Sequence, residues 1–171
     1  MISITDKLIE LGIEPLEGEA FTPFSEEEVA TIETTIGALL PQNYKRFLLR
    51  FGGSTFSTNV SCTAPGERLH FGQFFRFSEL LNAIEYLNET LPETIIPTGD
   101  NCGDIVFCLG VSRGDVGKVY FHNTHPGWHH DAEGYLERGE PVPSDIRYQV
   151  VQEIAPSFEG FINDMEKEEA S

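Results

Sequence analysis

Up to Gly53 the apolar positions recur every three or four residues; beyond it they come in short extended runs. The sharpest block runs from Leu40 to Gly53 (LPQNYKRFLLRFGG). Tyr44, Phe47, Leu48 and Phe51 fall at i, i+3, i+4 and i+7, which predicts a short helix with one aromatic–aliphatic face inward. Pro41 suits its start, where a missing N–H costs nothing, and Gly52-Gly53 supply a left-handed stop. Two helices precede it. Ser3 with Asp6 opens the first, whose stripe of Ile4, Leu8 and Leu11 ends at Gly12. Ser25 followed by Glu26-Glu27-Glu28 is a capping box opening the second, with Val29, Ile32 and Ile36 inward and Gly37 as the stop. The segment 13–22 between them, with Pro15, Gly18 and the nearby Pro23, reads as loop.

After Gly53 the pattern predicts strands over 55–60 and, beyond the Pro65-Gly66 turn, over 68–77. Ser78 and Glu79 open a helix with Leu80, Leu81, Ile84 and Leu87 inward, closed at Leu91-Pro92. Strands follow over 94–97, 104–110 and 118–122, the last two joined by a glycine-marked hairpin loop from Val111 to Gly117. The polar stretch 123–147, holding Pro126-Gly127 and Pro141-Val142-Pro143, reads as a surface excursion over the sheet edge. Residues 148–154 return as an edge strand. Ser157 caps a last helix with Phe158, Phe161, Ile162 and Met165 inward, followed by an acidic tail. This order predicts an α+β fold: a single domain over 1–171 with its core at about 25–162, built as a mostly antiparallel twisted sheet with helices packed on one face.

Composition narrows the function. The chain has 171 residues, 40% hydrophobic with 13 Phe, enough for one continuous core. Its 11 basic and 28 acidic residues give a formal net charge of −17. That balance argues against direct nucleic-acid binding, which needs cations to replace phosphate counterions, and against an anionic membrane surface. A basic partner would be steered in; acidity also simply keeps a protein soluble. The start of the chain reaches charge at Asp6 and Lys7, too early for a secretory leader, and no apolar run is long enough to span a membrane. Three cysteines without a C-x-x-C spacing read as cytoplasmic free thiols.

The candidate chemistry sits in the histidine-rich stretch His122, His125, His129 and His130. A metal site would need two or three of these imidazoles to converge, preferably with a carboxylate such as Asp131. On a continuing strand an odd separation puts His125 on the other face from His122, and Pro126-Gly127 disfavours a helix between His125 and His129. The spacing therefore predicts no metal and no cofactor. Trp128 is either a partner-binding anchor or a cover over the sheet edge. Asp100 and Asp115, like Asp104, lie in or beside glycine turns, where Asp either faces a partner or bonds its own backbone. Asp131 and Glu133 add two further partner-binding candidates. Neither G-x-S-x-G, H-E-x-x-H nor a P-loop occurs, so no enzymatic function is expected.

Several phrases, in order, resemble the SUKH superfamily, the Smi/Knr-like proteins. The run Ile32-Glu33, Ile36-Gly37, Leu40-Pro41, Tyr44, Phe47-Leu48 and Gly52-Gly53 is similar to the family's N-terminal signature. Residues 96–104 (IPTGDNCGD) resemble its central strand and glycine turn, Gly117 to Phe121 its next strand, and Ser157 to Phe161 its closing helix. Where members often continue with Trp-Asp-His and an acid, this chain reads His122-Asn123-Thr124-His125. The resemblance implies a binding module: in bacteria an immunity protein blocking a toxin, frequently a nuclease or deaminase, and in eukaryotes a scaffold for cell-wall synthesis. The expected function is thus a non-catalytic protein that neutralises a basic, nuclease-type toxin domain. The alternatives are a regulatory scaffold without a toxin partner and a metal-dependent hydrolase using the His122–His130 loop.

Overall fold

The first three helices form where local chemistry closes their ends. In α1 (Ile4–Leu11) the Ser3 hydroxyl accepts from the Asp6 N–H at 3.1 Å, and Gly12 ends the helix at φ 87°. In α2 (Glu26–Ile36) Ser25 and Glu28 cap each other reciprocally, at 3.0 and 2.9 Å. Pro41 precedes α3 (Gln42–Arg50), and Gly52 follows it at φ 65°. A Cβ on Gly52 would collide with the Thr22 carbonyl oxygen, so backbone conformation and close approach both demand glycine there. The computed structural model describes residues 3–169. Residues 1, 2, 170 and 171, the ends of the expected 1–171 span, lie outside the described residues.

Among the described residues eight strands make one sheet: β1 (Ile13–Pro15), β2 (Ser54–Ala64), β3 (Glu67–Phe74), β4 (Ile95–Asp100), β5 (Ile105–Gly110), β6 (Val119–Asn123), β7 (Val151–Ala155) and β8 (Glu166–Lys167). The order is β1 through β7 in sequence, with β8 pairing β2, and every described strand pairing is antiparallel. Residues 13–22 were expected as loop, yet Ile13–Pro15 pair with β2. The piece is too short to show a period, and Pro15 is tolerated on an edge. The expected acidic tail starts with β8, after which Glu168 meets His70 at 3.1 Å. Pro65-Gly66 is a two-residue turn between β2 and β3, with Gly66 at φ 81°. Strand β3 stops at Phe74 instead of Phe77, because Phe77 already begins α4 (Phe77–Leu87). The Glu79 carboxylate accepts there from the N–H of Arg76, one residue before the helix.

The main core lies on one face of this sheet, as expected. Phe74 is its hub, with ring centroids 4.4 Å from Phe47, 4.6 Å from Phe71 and 6.2 Å from Phe158 of α7 (Phe158–Asp164). The other face is covered too, which the one-face expectation lacked. Phe107 and Leu109 of β5 enter the main core, so Cys108 between them points away. Cys108 and Tyr120, paired across β5 and β6, join Leu87, Leu91, Ala132, Val142 and Val150 in a second, smaller cluster.

The segment 123–147 supplies this second layer through α5 (His130–Glu137) and the start of α6 (Ser144–Gln149). Arg147 pins it by donating to the Asn88 and Leu91 carbonyls at 2.8 and 3.0 Å, just past the end of α4. Tyr148 belongs to α6, so the edge strand starts only at Val151. Cys62 and Cys108 are buried free thiols, Cys62 pushed up to about 12 by burial, and Cys102 is exposed.

Phe74→Ala should lower unfolding free energy by about 3–5 kcal/mol in urea denaturation, because its cavity is walled by rings from three elements. Leu39→Ala, at a side chain 78% exposed, should stay within about 0.5 kcal/mol.

Candidate functional site

The end of β6, the last turn of α4 and α5 enclose a cleft of about 360 Å³, lined among others by Tyr86, Leu87, Glu89, His122, His129 and Glu133. His122 pairs with Val106 and Val151 across the neighbouring strands, so its ring lies on the face of the second cluster. It is buried, with Nδ1 2.9 Å from the Val150 carbonyl. Beyond Asn123 the chain reverses: the Asn123 side-chain oxygen accepts from the His125 N–H at 2.9 Å, and Gly127 takes φ 86°. This turn lays the His129 ring over His122, centroids 5.1 Å apart and planes at 17°. One helical turn on, Glu133 reaches back and its Oε1 accepts from the Gly127 N–H at 2.8 Å, latching the loop.

Burial pushes both imidazoles below their ordinary value near 6.5. The Val150 carbonyl opposes the shift at His122, and the Asn123 carbonyl and the Glu133 carboxylate oppose it at His129, but burial prevails at both. The stack therefore joins neutral rings at neutral pH. Among the described residues, two buried atoms beside it have no hydrogen-bond partner, His129 Nε2 and Glu133 Oε2.

The four sequence-predicted histidines do not assemble as a set. His122 and His129, a pair the spacing argument did not weigh, meet because a turn rather than a strand or helix connects them. His125 is exposed, 3.5 Å from the Asp104 carboxylate, and His130 is exposed at the start of α5. Among the described residues, no group of three or more His, Cys, Asp or Glu is placed to hold a metal ion.

The acidic candidates divide. Asp131 is exposed in the first turn of α5, beside Glu133 and close in sequence to Trp128, which is 62% exposed and borders a hollow with Ile146, Gln149 and Val150 just before the edge strand β7. Asp115, in the turn between β5 and β6, lies at the other end of β6 and is bound internally. It accepts from the hydroxyls of Thr94, Tyr148 and Tyr120, the last at 2.9 Å. Burial alone would raise its pKa; these hydroxyls and Lys118 outweigh burial and hold it below the usual carboxylate value. Asp100 accepts from the Cys102 N–H at 2.9 Å, in a turn where Cys102 takes φ 64°.

Sequence reasoning missed Tyr86 and Glu89 in the cleft wall. Their signal was available, since both lie off the Leu80–Ile84–Leu87 stripe and so face outward.

A protein-family model described as SMI1 / KNR4 family (SUKH-1) matches residues 23–164. The chain belongs to this family. No curated protein matches it. The matched span takes in the whole cleft of this SUKH-1 chain, while α1, β1 and β8 lie outside it. No helix among the described residues is long and apolar enough to cross a membrane.

The histidine stack gives the SUKH-1 fold an acid dependence of known sign. Both folded pKa values lie below the unfolded value near 6.5, so just below that pH the unfolded chain binds more protons. The rings leave stability unchanged above about pH 7.5 and erode it as pH falls through about 6.5 toward the folded values. Urea denaturation at about pH 7.5 and about pH 5.5 should show His129→Gln losing less stability on acidification than the parent. Separately, Asp115→Asn should remove about 1–3 kcal/mol in urea denaturation, because three hydroxyls face an oxygen–amide pair in place of a carboxylate.

Proposed function

We propose that this SUKH-1 protein is a non-catalytic, cytoplasmic immunity protein that binds a basic, nuclease-type toxin domain and blocks its active surface. The observation that carries the reading is a net charge of −17 on a fold of this family. A nuclease must present cations to hold phosphates, and an acidic protein can occupy the same surface in stoichiometric amounts. The neighbourhood of α5 favours a docking face: Trp128 is an exposed aromatic side chain suited to an anchor, and Asp131 and Glu133 follow it in the first turn of α5. Asp100 and Asp115 extend the acidic surface, although Asp115 contributes its field more than a free oxygen. Peripheral charges set the association rate and its salt dependence, while a desolvated anchor sets residence time.

Affinity capture from the source organism's lysate, at low and moderate salt, tests the reading. A basic polypeptide held one-to-one, and inactive as a nuclease while held, is the expected result. Recovery of cell-wall or signalling proteins in its place would favour the scaffold reading. With the partner in hand, Asp131→Lys should slow association several-fold at low salt and leave dissociation nearly unchanged, whereas Trp128→Ala should speed dissociation. Unchanged rates in both variants would remove the α5 region from the interface.

A further inference from the structure

We infer that the cleft between α4 and α5 is a receptor for an arginine side chain presented by a protein partner. The inference rests on the proposed function only for the source of that side chain. Its wall holds no Lys or Arg, but it holds Glu89 and Glu133. Of the two unpartnered atoms beside the stack, one is an acceptor in any protonation state. Glu133 Oε2 is a carboxylate oxygen and can only accept, and His129 Nε2 is the ring nitrogen buried at the N-cap of the same helix. No residue of the wall pairs with that oxygen, and a buried unpaired acceptor is costly.

An anionic occupant is disfavoured, because Asp131 and Glu133 already neutralise the positive end of α5. A donor-rich cation is required instead. Arginine fits best: its planar fork offers five N–H donors and stacks on aromatic rings, and Tyr86, 81% exposed, stands in the wall. The cleft's roughly 360 Å³ exceeds the ~30 Å³ share of one water about tenfold, leaving space for a long side chain. In the empty cleft Glu133 Oε2 is shielded from solvent, and the broad terminal torsion of glutamate lets it turn toward an arriving guanidinium.

The probe is L-argininamide, titrated into the isotope-labelled full chain and followed by NMR, with the amide of citrulline as the near-isostere that keeps the α-ammonium but has an uncharged side chain. Saturable shifts at Tyr86, His129 and Glu133 are expected with argininamide and none with the citrulline amide. Glu133→Gln keeps an oxygen for Gly127 and should weaken binding about tenfold. Tyr86→Ala, at an exposed position, should weaken it about two- to fivefold. Non-saturating shifts scattered over the acidic surface, equal response to the citrulline amide, or an unaffected Glu133→Gln would each overturn the inference. Failure of the immunity reading is distinguishable: argininamide binding would persist without any toxin. Conversely, a captured toxin held equally well by Glu133→Gln and Tyr86→Ala would overturn the cleft's role alone.

Discussion

Strands β5 and β6 are buried on both faces, and the position of everything else follows from covering them. Residues Ile105 to Leu109 are apolar without interruption, and a strand of that kind has no side that water can occupy. Phe107 and Leu109 are taken up by the aromatic core around Phe74, reached from α3, α7 and β3. Cys108 and Tyr120 need a second roof, and the segment after β6 supplies it together with Leu87 and Leu91, at and just past the end of α4. The cleft exists because that roof is short: α5 and α6 cover the middle of the face and leave its edge beside α4 to a histidine stack.

The two layers are held by different physics. The main core is nearly all hydrocarbon, with Phe rings meeting edge-on or tilted at centroid distances of 4.4–6.4 Å. The second layer is smaller and leans on directed polar bonds. Arg147 ties α6 to the carbonyls past the end of α4, Asp115 ties the β5–β6 turn to Tyr120 and Tyr148, and Glu133 ties the loop before α5 to that helix. Such bonds fix position more than they add stability, since each replaces bonds to water. A layer held this way is the one whose local opening requires the least free energy.

Much of this was legible in the sequence, for reasons that differ by element. The caps at Ser3, Ser25 and Ser157 and the stripe through Tyr44, Phe47 and Leu48 are local signals, and each helix formed where they placed it. The second layer was not recognised, although two clues were present. The unbroken run Ile105–Leu109 implied a covered far face, and Ala132, Tyr135 and Leu136 sit at i, i+3 and i+4 inside a stretch whose Pro and Gly content reads as loop. The His122–His129 stack was beyond reach, because it depends on a turn bringing residues seven apart into register on different elements.

Acidity itself has to be apportioned before it can explain recognition. Glu28 and Glu79 are used locally to cap helices, Asp115 is consumed by three hydroxyls, and Asp100 holds its own turn. These carboxylates add to the long-range field that draws in a cation, yet their oxygens are already engaged. Glu133 is divided between the two roles, with one oxygen latching Gly127 and the other without a partner. A field summed over many fixed carboxylates guides a partner's approach without choosing where it stops. A stopping point needs unsatisfied short-range groups in a shaped space, and among the described residues Glu133 Oε2 and His129 Nε2, beneath the second layer, are the buried side-chain atoms without a partner.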